Sequence, residues 1–525
     1  RFQPEVVGFS ILNANRWGGM EIARLAKAID AGIVTVFGGV GASFLWAHLL
    51  QHFPEVDYAV IGEGERTILA LLDAIAADDD MALGRVAGLA RRIEGRPIAT
   101  PCAPPIKDLD RLPNPARYFT YQHLSLTRGC PGACRFCGSP AIWGRKVRFH
   151  SAGYFVDQLE LLAGQGVRFF YFSDDTFTLR HDLVIAVCQE ILARRLTIQW
   201  AAISRVDTVD EVVLGWMRRA GCIQISYGIE SANRDIRVYL NKKIATADIE
   251  RAFRLTRLYG ILPRAYFIYG SPGESDDTIA ETLDLIRTIQ PLDAIFYILD
   301  IFPGTDLYRD YLARTGQNDD IWLERIEDLL YCETDPRMSA DQVRVWGQRL
   351  REGFYRRLPD FAAQIDLVDD PEFYPLHADF LSRLAMTFQQ GDFARQAVIP
   401  NKAQIARQLH ERALGYDPDE PRAFLGLALL EQARGAFARA LEQARAGLGR
   451  NPENALLKTC LAVNHMNMGD FDQALAVLAQ IEETPDTIGM TITCLEALGR
   501  GPEASELRQR QQSAAASRAI PRERN

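Results

Sequence analysis

The chain has 525 residues, 48% of them hydrophobic and 24% charged, with a formal net charge of −9. Its length exceeds what one core can fill and predicts three or four domains. The acidic balance excludes a nucleic-acid binder, which needs a concentrated basic face, and no apolar run is long enough to span a membrane.

The sequence opens at Arg1 with no signal peptide in view. Residues 1–100 alternate apolar runs, "VVGFSIL" (6–12), "VTVFGGV" (34–40) and "DYAVIGEGE" (57–65), with helical stretches such as "MEIARLAKAID". The alternation predicts an α/β domain on a parallel sheet of three strands, thin enough to point to further chain upstream. Open parallel sheets bind ligands at strand C-termini. There Ser10 and Leu12 form an S-x-L pattern, and Gly38 and Gly39 follow the next strand. Glycines at that place let a large flat ligand approach the backbone.

Residues 101–120 hold five prolines and read as a linker. Six further strands are expected within 121–310, at 123–128, 167–174, 198–204, 222–228, 264–270 and 294–302, with amphipathic helices between them. Their starts lie 24–44 residues apart, which fits βα units. Six such units predict an open, partial (β/α)6 barrel of the TIM type, with chemistry at the strand C-termini. Residues 311–385 read as a helical connector, in which "WGQRLREGFYRRLPDF" is a basic surface helix.

From 386 to 500 the chain is helical and repetitive. "GAFARAL" (435–441) and "GDFDQAL" (469–475) are 34 residues apart, and "GDFARQA" (391–397) is a looser copy. This period resembles tetratricopeptide repeats, which stack into a concave surface. The tail, 501–525, is polar, and its end "SAAASRAIPRERN" (513–525) is basic and reads as disordered.

The chain has nine cysteines. Six are scattered, mostly in apolar segments, and read as buried small hydrophobes. No disulfide framework is visible, which predicts a reducing, cytoplasmic setting. The other three, Cys130, Cys134 and Cys137, sit in "LTRGCPGACRFCGSP" (126–140) after the first barrel strand. Four thiolates would close a structural zinc site. Three can hold three irons of a [4Fe–4S] cube and leave the fourth iron open. The competing reading is zinc with a fourth ligand from His123 or His150.

The C-x3-C-x2-C loop at the end of a barrel strand resembles the radical S-adenosylmethionine (SAM) enzymes. In that family the open iron chelates SAM, and one electron cleaves it to a 5′-deoxyadenosyl radical that abstracts hydrogen from an unreactive carbon. The resemblance covers about residues 120–310. It implies SAM-binding roles for Phe136, beside the last cysteine; for Asp174 and Asp175 of "FSDDTF"; for Arg205 of "AISRVD"; for Glu230 and Ser231 of "SYGIES"; and for Gly270 of "IYGSPGES". The first domain resembles the cobalamin-binding domain that often precedes such barrels, with Ser10, Leu12, Gly38 and Gly39 lining the pocket for the nucleotide tail. The cobalt-ligating D-x-H-x-x-G pattern is not in this sequence, and Gly41 stands where relatives often carry histidine.

The resemblance implies a class B-like enzyme that uses a [4Fe–4S] cluster, SAM and cobalamin to methylate an unactivated carbon. A radical cyclisation, rearrangement, C–C coupling or oxidation is the alternative. A non-catalytic repeat scaffold is a third reading. It also implies an electron donor such as flavodoxin or ferredoxin. A protein partner could use the repeats, and the substrate could be a peptide, a lipid or a small natural product. No residue is singled out as acid or base.

Overall fold

The computed structural model of the protein describes residues 3–519. One compact unit takes in residues up to Thr256 with Pro263–Phe354, and a second takes in Arg257–Leu262 with residues from Tyr355 onward.

The N-terminal sheet has five strands, not three: β1 (Val6–Ser10), β2 (Val34–Gly38), β3 (Tyr58–Val60), β4 (Leu89–Ile93) and β5 (Arg96–Ala99), in that order. The first three are parallel, and β4 and β5 run antiparallel. The hairpin turn between the last two is Glu94-Gly95, at φ of 50° and 77°. Two positive φ values give the turn the twist that two-residue hairpins need. Helix α1 (Arg16–Ile29) buries Met20 and Ala23, and α2 (Gly39–His52) buries Leu45, Leu49 and Leu50. These join Phe37 and Ala59 in one core with Leu307 and Trp322 from beyond the barrel.

The barrel sheet runs β6 (His123–Leu124), β9 (Phe169–Phe172), β10 (Gln199–Ser204), β11 (Cys222–Glu230), β12 (Leu262–Tyr269) and β13 (Asp293–Ile298). The order follows the sequence, and the β6–β9, β9–β10, β10–β11 and β12–β13 pairs are parallel. This is the expected open (β/α) sheet. The expected strand at 123–128 is split: Thr127–Arg128 (β7) leaves the sheet and pairs antiparallel with Arg148–Phe149 (β8). The two-stranded ribbon encloses the cysteine loop. Residues 101–120 are not a free linker, because Ile106, Leu109 and Ala116 are buried, and Asp110 accepts from the Ser151 backbone N–H. Outside, two of the barrel helices start on side-chain caps. Ser151 and Asp210 accept from the third helical N–H of Ala152–Gly164 and Glu211–Arg219, which satisfies donors that a helix start leaves unpaired.

In the second unit the 34-residue period is carried by helix starts. Pro421–Gln432 and Ala455–Asn467 begin 34 residues apart, as do Phe437–Arg450 and Phe471–Leu478. A Cβ on Gly447 would lie 2.7 Å from the Phe424 Cβ, so glycine is what lets those helices touch. The looser copy at 391–397 is a 3-10 turn, Asp392–Arg395, not a repeat helix. Of the tail, Gly501–Ala519 is helical, which differs from the disorder expected from 513 onward, and 520–525 lie outside the described residues.

His410 gives this unit an acid sensitivity. It is fully buried, and its Nε2 pairs with Gln389 Oε1 at 2.7 Å. Burial, with Arg422 and Arg407 nearby, lowers its pKa to about 3. A depressed folded pKa means that stability is present above the ordinary value near 6.5 and is lost as pH falls toward 3. By pH 4.5 the loss is about 2–3 kcal/mol. Thermal melts of the full chain from pH 7 to 4.5 should show it, and His410→Gln should flatten the slope.

Candidate active site

The cysteine loop hangs from the β7–β8 ribbon and is fastened from three sides. Asp174, at the end of β9, accepts from the backbone N–H of Leu126 (3.2 Å) and Thr127 (2.6 Å) and from Thr127 Oγ1 (2.6 Å). It is almost fully buried, and burial raises its pKa to about 6 against these three donors. The expectation that Asp174 binds SAM directly is therefore corrected: its oxygens hold the root of the loop. Asp175, its neighbour, is exposed and accepts from Ser139 Oγ.

The second fastening comes from the turn after Arg234–Tyr239, which the sequence reading passed over. Asn241, at φ 52°, donates to the Ala133 carbonyl at 2.6 Å, and the Leu240 carbonyl accepts from Arg135 N–H. Lys242 reaches Glu230 at 2.9 Å, with side chains only 10% and 7% exposed. A Cβ on Gly228 would sit 2.5 Å from Glu230 Oε1 and 2.8 Å from Lys242 Nζ, so Gly228 leaves the room this pair occupies. Glu230 itself stands at φ 69°, a conformation that costs a non-glycine residue on the order of 1 kcal/mol or more and is held by its surroundings. Burial opposes the charge on Lys242, but Glu230 and the Cys134 thiol outweigh it and hold the ammonium above its ordinary range. The signal in the sequence was "LNKK", a polar break directly after a short helix.

The third fastening is "IGEGE". Glu63 is buried and accepts from Ile106 N–H at 2.9 Å and from Arg148 of the ribbon, while Glu65 pairs with Arg128. Burial works against Glu63's charge, yet these donors keep its carboxyl below its ordinary range. The N-terminal domain and the cysteine ribbon are thus tied by paired charges.

Around the thiols, Thr176 Oγ1 lies 3.8 Å from Cys130 Sγ. A Cβ on Gly132 would be 3.3 Å from Cys130 Sγ and 3.9 Å from both Cys134 Sγ and Arg205 Nη1. Arg205 is fixed by Asp207 and by the Lys243 carbonyl. Burial raises the pKa of Cys134, and that of Cys137 to about 11. Among the described residues, the Cys, His, Asp and Glu ligand atoms gathered within 4.8 Å of one another do not include this trio. His150 Nδ1 pairs with Asp110 (2.9 Å) and His123 Nδ1 with Ser173 (2.9 Å). Three thiols on a loop with fitted glycines suit an iron–sulfur cube, and cluster loading must release their protons.

Other expected SAM contacts separate. Phe136 packs against the core shared by α2 and Leu307. Ser231 is buried and its Oγ accepts from Asn233 N–H, a local turn and not an open contact. Gly270, at φ 77°, has Val343 3.2 Å from where its Cβ would be, so that face is covered by a helix.

At the sheet end of the first domain, two loops close on each other. Ile11 N–H donates to the Gly38 carbonyl and Gly41 N–H to the Ile11 carbonyl, both at 2.9 Å. A Cβ on Gly39 would lie 2.8 Å from the Ile11 carbonyl and 3.0 Å from Ser10 Oγ. Gly39 thus serves the contact between the loops. Beyond them Leu12, 57% exposed, opens with Val40, Gly41 and Phe44 into a cavity of ≈ 490 Å³ whose far wall is Gly138, Ser139, Trp143 and Asp175. An apolar, glycine-edged mouth at strand C-termini suits a large flat ligand.

Residues 124–286 match the Radical SAM superfamily and residues 1–72 match the B12 binding domain. The chain carries a radical SAM domain and a B12-binding domain. Its cofactors are a [4Fe–4S] cluster, SAM and cobalamin. This radical SAM protein is 30% identical over 325 residues to the anaerobic magnesium-protoporphyrin IX monomethyl ester cyclase of Rubrivivax gelatinosus, covering 59% of this chain and 58% of that one. It is 29% identical to an uncharacterised methyltransferase of Pyrococcus horikoshii, over 60% and 70% of the two chains. The chain therefore spans less than two thirds of the first of these relatives. Among solved structures, the radical SAM methyltransferase TsrM of Kitasatospora setae, with cobalamin and [4Fe–4S] bound, aligns at TM-score 0.56 and 18% identity over 78% of this chain and 89% of that one. Radical SAM chemistry needs an electron donor. Among the described residues no helix is long and apolar enough to cross a membrane.

Proposed function

We propose that this radical SAM protein methylates an unactivated carbon. The observation that carries the reading is the ≈ 490 Å³ cavity, lined jointly by Leu12, Val40 and Phe44 of the B12-binding domain and by Gly138, Ser139 and Asp175 beside the cysteine loop. When bound, the cluster with SAM supplies radical generation and cobalamin supplies a transferable methyl group. The chain's part is to place and shield. Arg205 and Lys242, the cations beside Cys134, would meet the SAM carboxylate, and Glu230 would meet its amino group or ribose. Phe44, Ile142, Trp143 and Phe302 make the cavity apolar and exclude water from a reactive radical. Asp175, Asp300, Glu327 and Asp328 line the same cavity; burial raises the pKa of Asp300 to about 6. That wall favours a substrate with an apolar body and a hydrogen-bond-donating or cationic end.

The cyclase relative supports a second reading, in which the same site forms a ring or oxidises a carbon without methyl transfer. Deuteromethyl-SAM separates the two. Mass spectrometry of product formed by the reduced holoenzyme should show one CD3 in place of hydrogen. Product without CD3, formed as SAM is consumed, would instead establish the second reading.

A further inference from the structure

Helix α2 leaves the glycine mouth of the B12-binding domain and ends in a pair of histidines with no part in the site above. His48 and His52 are four residues apart, on one face of the helix, with ring centroids 4.8 Å apart. Asp320, from the turn Asp319–Leu323, comes between them: its Oδ1 is 3.7 Å from His48 Nδ1 and 2.9 Å from His52 Nε2. All three ligand atoms lie within 4.8 Å of one another. Two imidazoles and a carboxylate, with room for water, form the ligand set of open zinc sites. Bonds of about 2.0–2.1 Å in a tetrahedron put neighbouring ligand atoms about 3.3 Å apart, and the two measured distances bracket that value.

His48 supplies the independent sign. It is 5% exposed, and neither of its ring nitrogens has a hydrogen-bond partner. A buried polar group left unpaired is costly, and a bound cation would satisfy one of the two nitrogens. The charges facing it are Asp319 and Asp320, which favour a cation, and Arg16, which opposes one. Arg16 is held by the carbonyls of Asn13, Trp322, Glu324 and Ile326, and two carboxylates outnumber it. His52 and Asp320 are partly exposed, so a hydrated ion can enter.

We propose that His48, His52 and Asp320 bind one zinc ion, which braces α2 of the B12-binding domain against the segment that follows the barrel. The test uses the reconstituted full-length holoenzyme at matched iron content, so that the cluster cysteines are occupied. It is equilibrated with zinc chloride, desalted, and analysed for zinc and iron together. Wild type should retain about one zinc per chain and melt higher with zinc than without. His52→Gln and Asp320→Asn, both at partly exposed positions, should fold normally, bind zinc at least about tenfold more weakly and lose the shift in Tm. Zinc retention in both variants equal to wild type, or no retention by wild type, would overturn the assignment.

Discussion

Cys134→Ala, reconstituted anaerobically beside wild type, is expected to lose iron–sulfur absorbance and to release no 5′-deoxyadenosine from SAM above the buffer background. Two thiols cannot hold three irons of a cube, and five of the other six cysteines are buried. The fold should survive: the loop is fastened by Asp174, Asn241 and Arg135 through bonds that do not use the sulfur, and the substitution should shift stability by no more than about 1 kcal/mol. Iron content and product release, read with a melt, separate a lost cluster from a lost fold. Cys130→Ala and Cys137→Ala should behave alike.

The largest stability effect is expected at Lys242→Met. Its ammonium is the partner of a carboxylate buried to the same degree. Removing one member of a buried pair leaves the other charge uncompensated, at a cost of about 3–5 kcal/mol. Denaturant melts of the variant beside wild type test this directly. The double variant Lys242→Met with Glu230→Gln should regain part of the stability, yet bind SAM no better than the single one, because the cation beside Cys134 is still missing. Full recovery of SAM affinity in the double variant would show that the pair is structural alone.

These expectations also mark where the sequence was readable. Strands β9 to β13 were found within a few residues because each is an apolar β-branched or aromatic run between turns. The hairpin β4–β5 was overlooked: four of the eleven residues in "LARRIEGRPIA" are charged, and its Glu-Gly turn is a weak signal beside Asn-Gly. The cysteine triad announces itself by spacing, since the loop carries its ligands within eight residues. Asp174 and Asp175 are equal as letters, and only the fold turns one inward to Thr127 and the other outward to Ser139. Lys242 could not be placed at all, because its partner is twelve residues away across a turn whose path depends on Asn241 adopting positive φ. Gly39 was read as room for a ligand, whereas the room is filled by the neighbouring loop. That contact depends on tertiary approach, which local patterns do not encode.

The account as a whole rests on one chain holding a radical-generating cluster and cobalamin around a shared cavity. The most direct measurement is metal analysis of the protein reconstituted with iron, sulfide and hydroxocobalamin and then desalted. The expected result is about four irons and about one cobalt per chain, with the cobalt lost and the iron kept in Gly39→Val, whose side chain would strike the Ile11 carbonyl. Iron retained without any cobalt in the wild-type chain would contradict it.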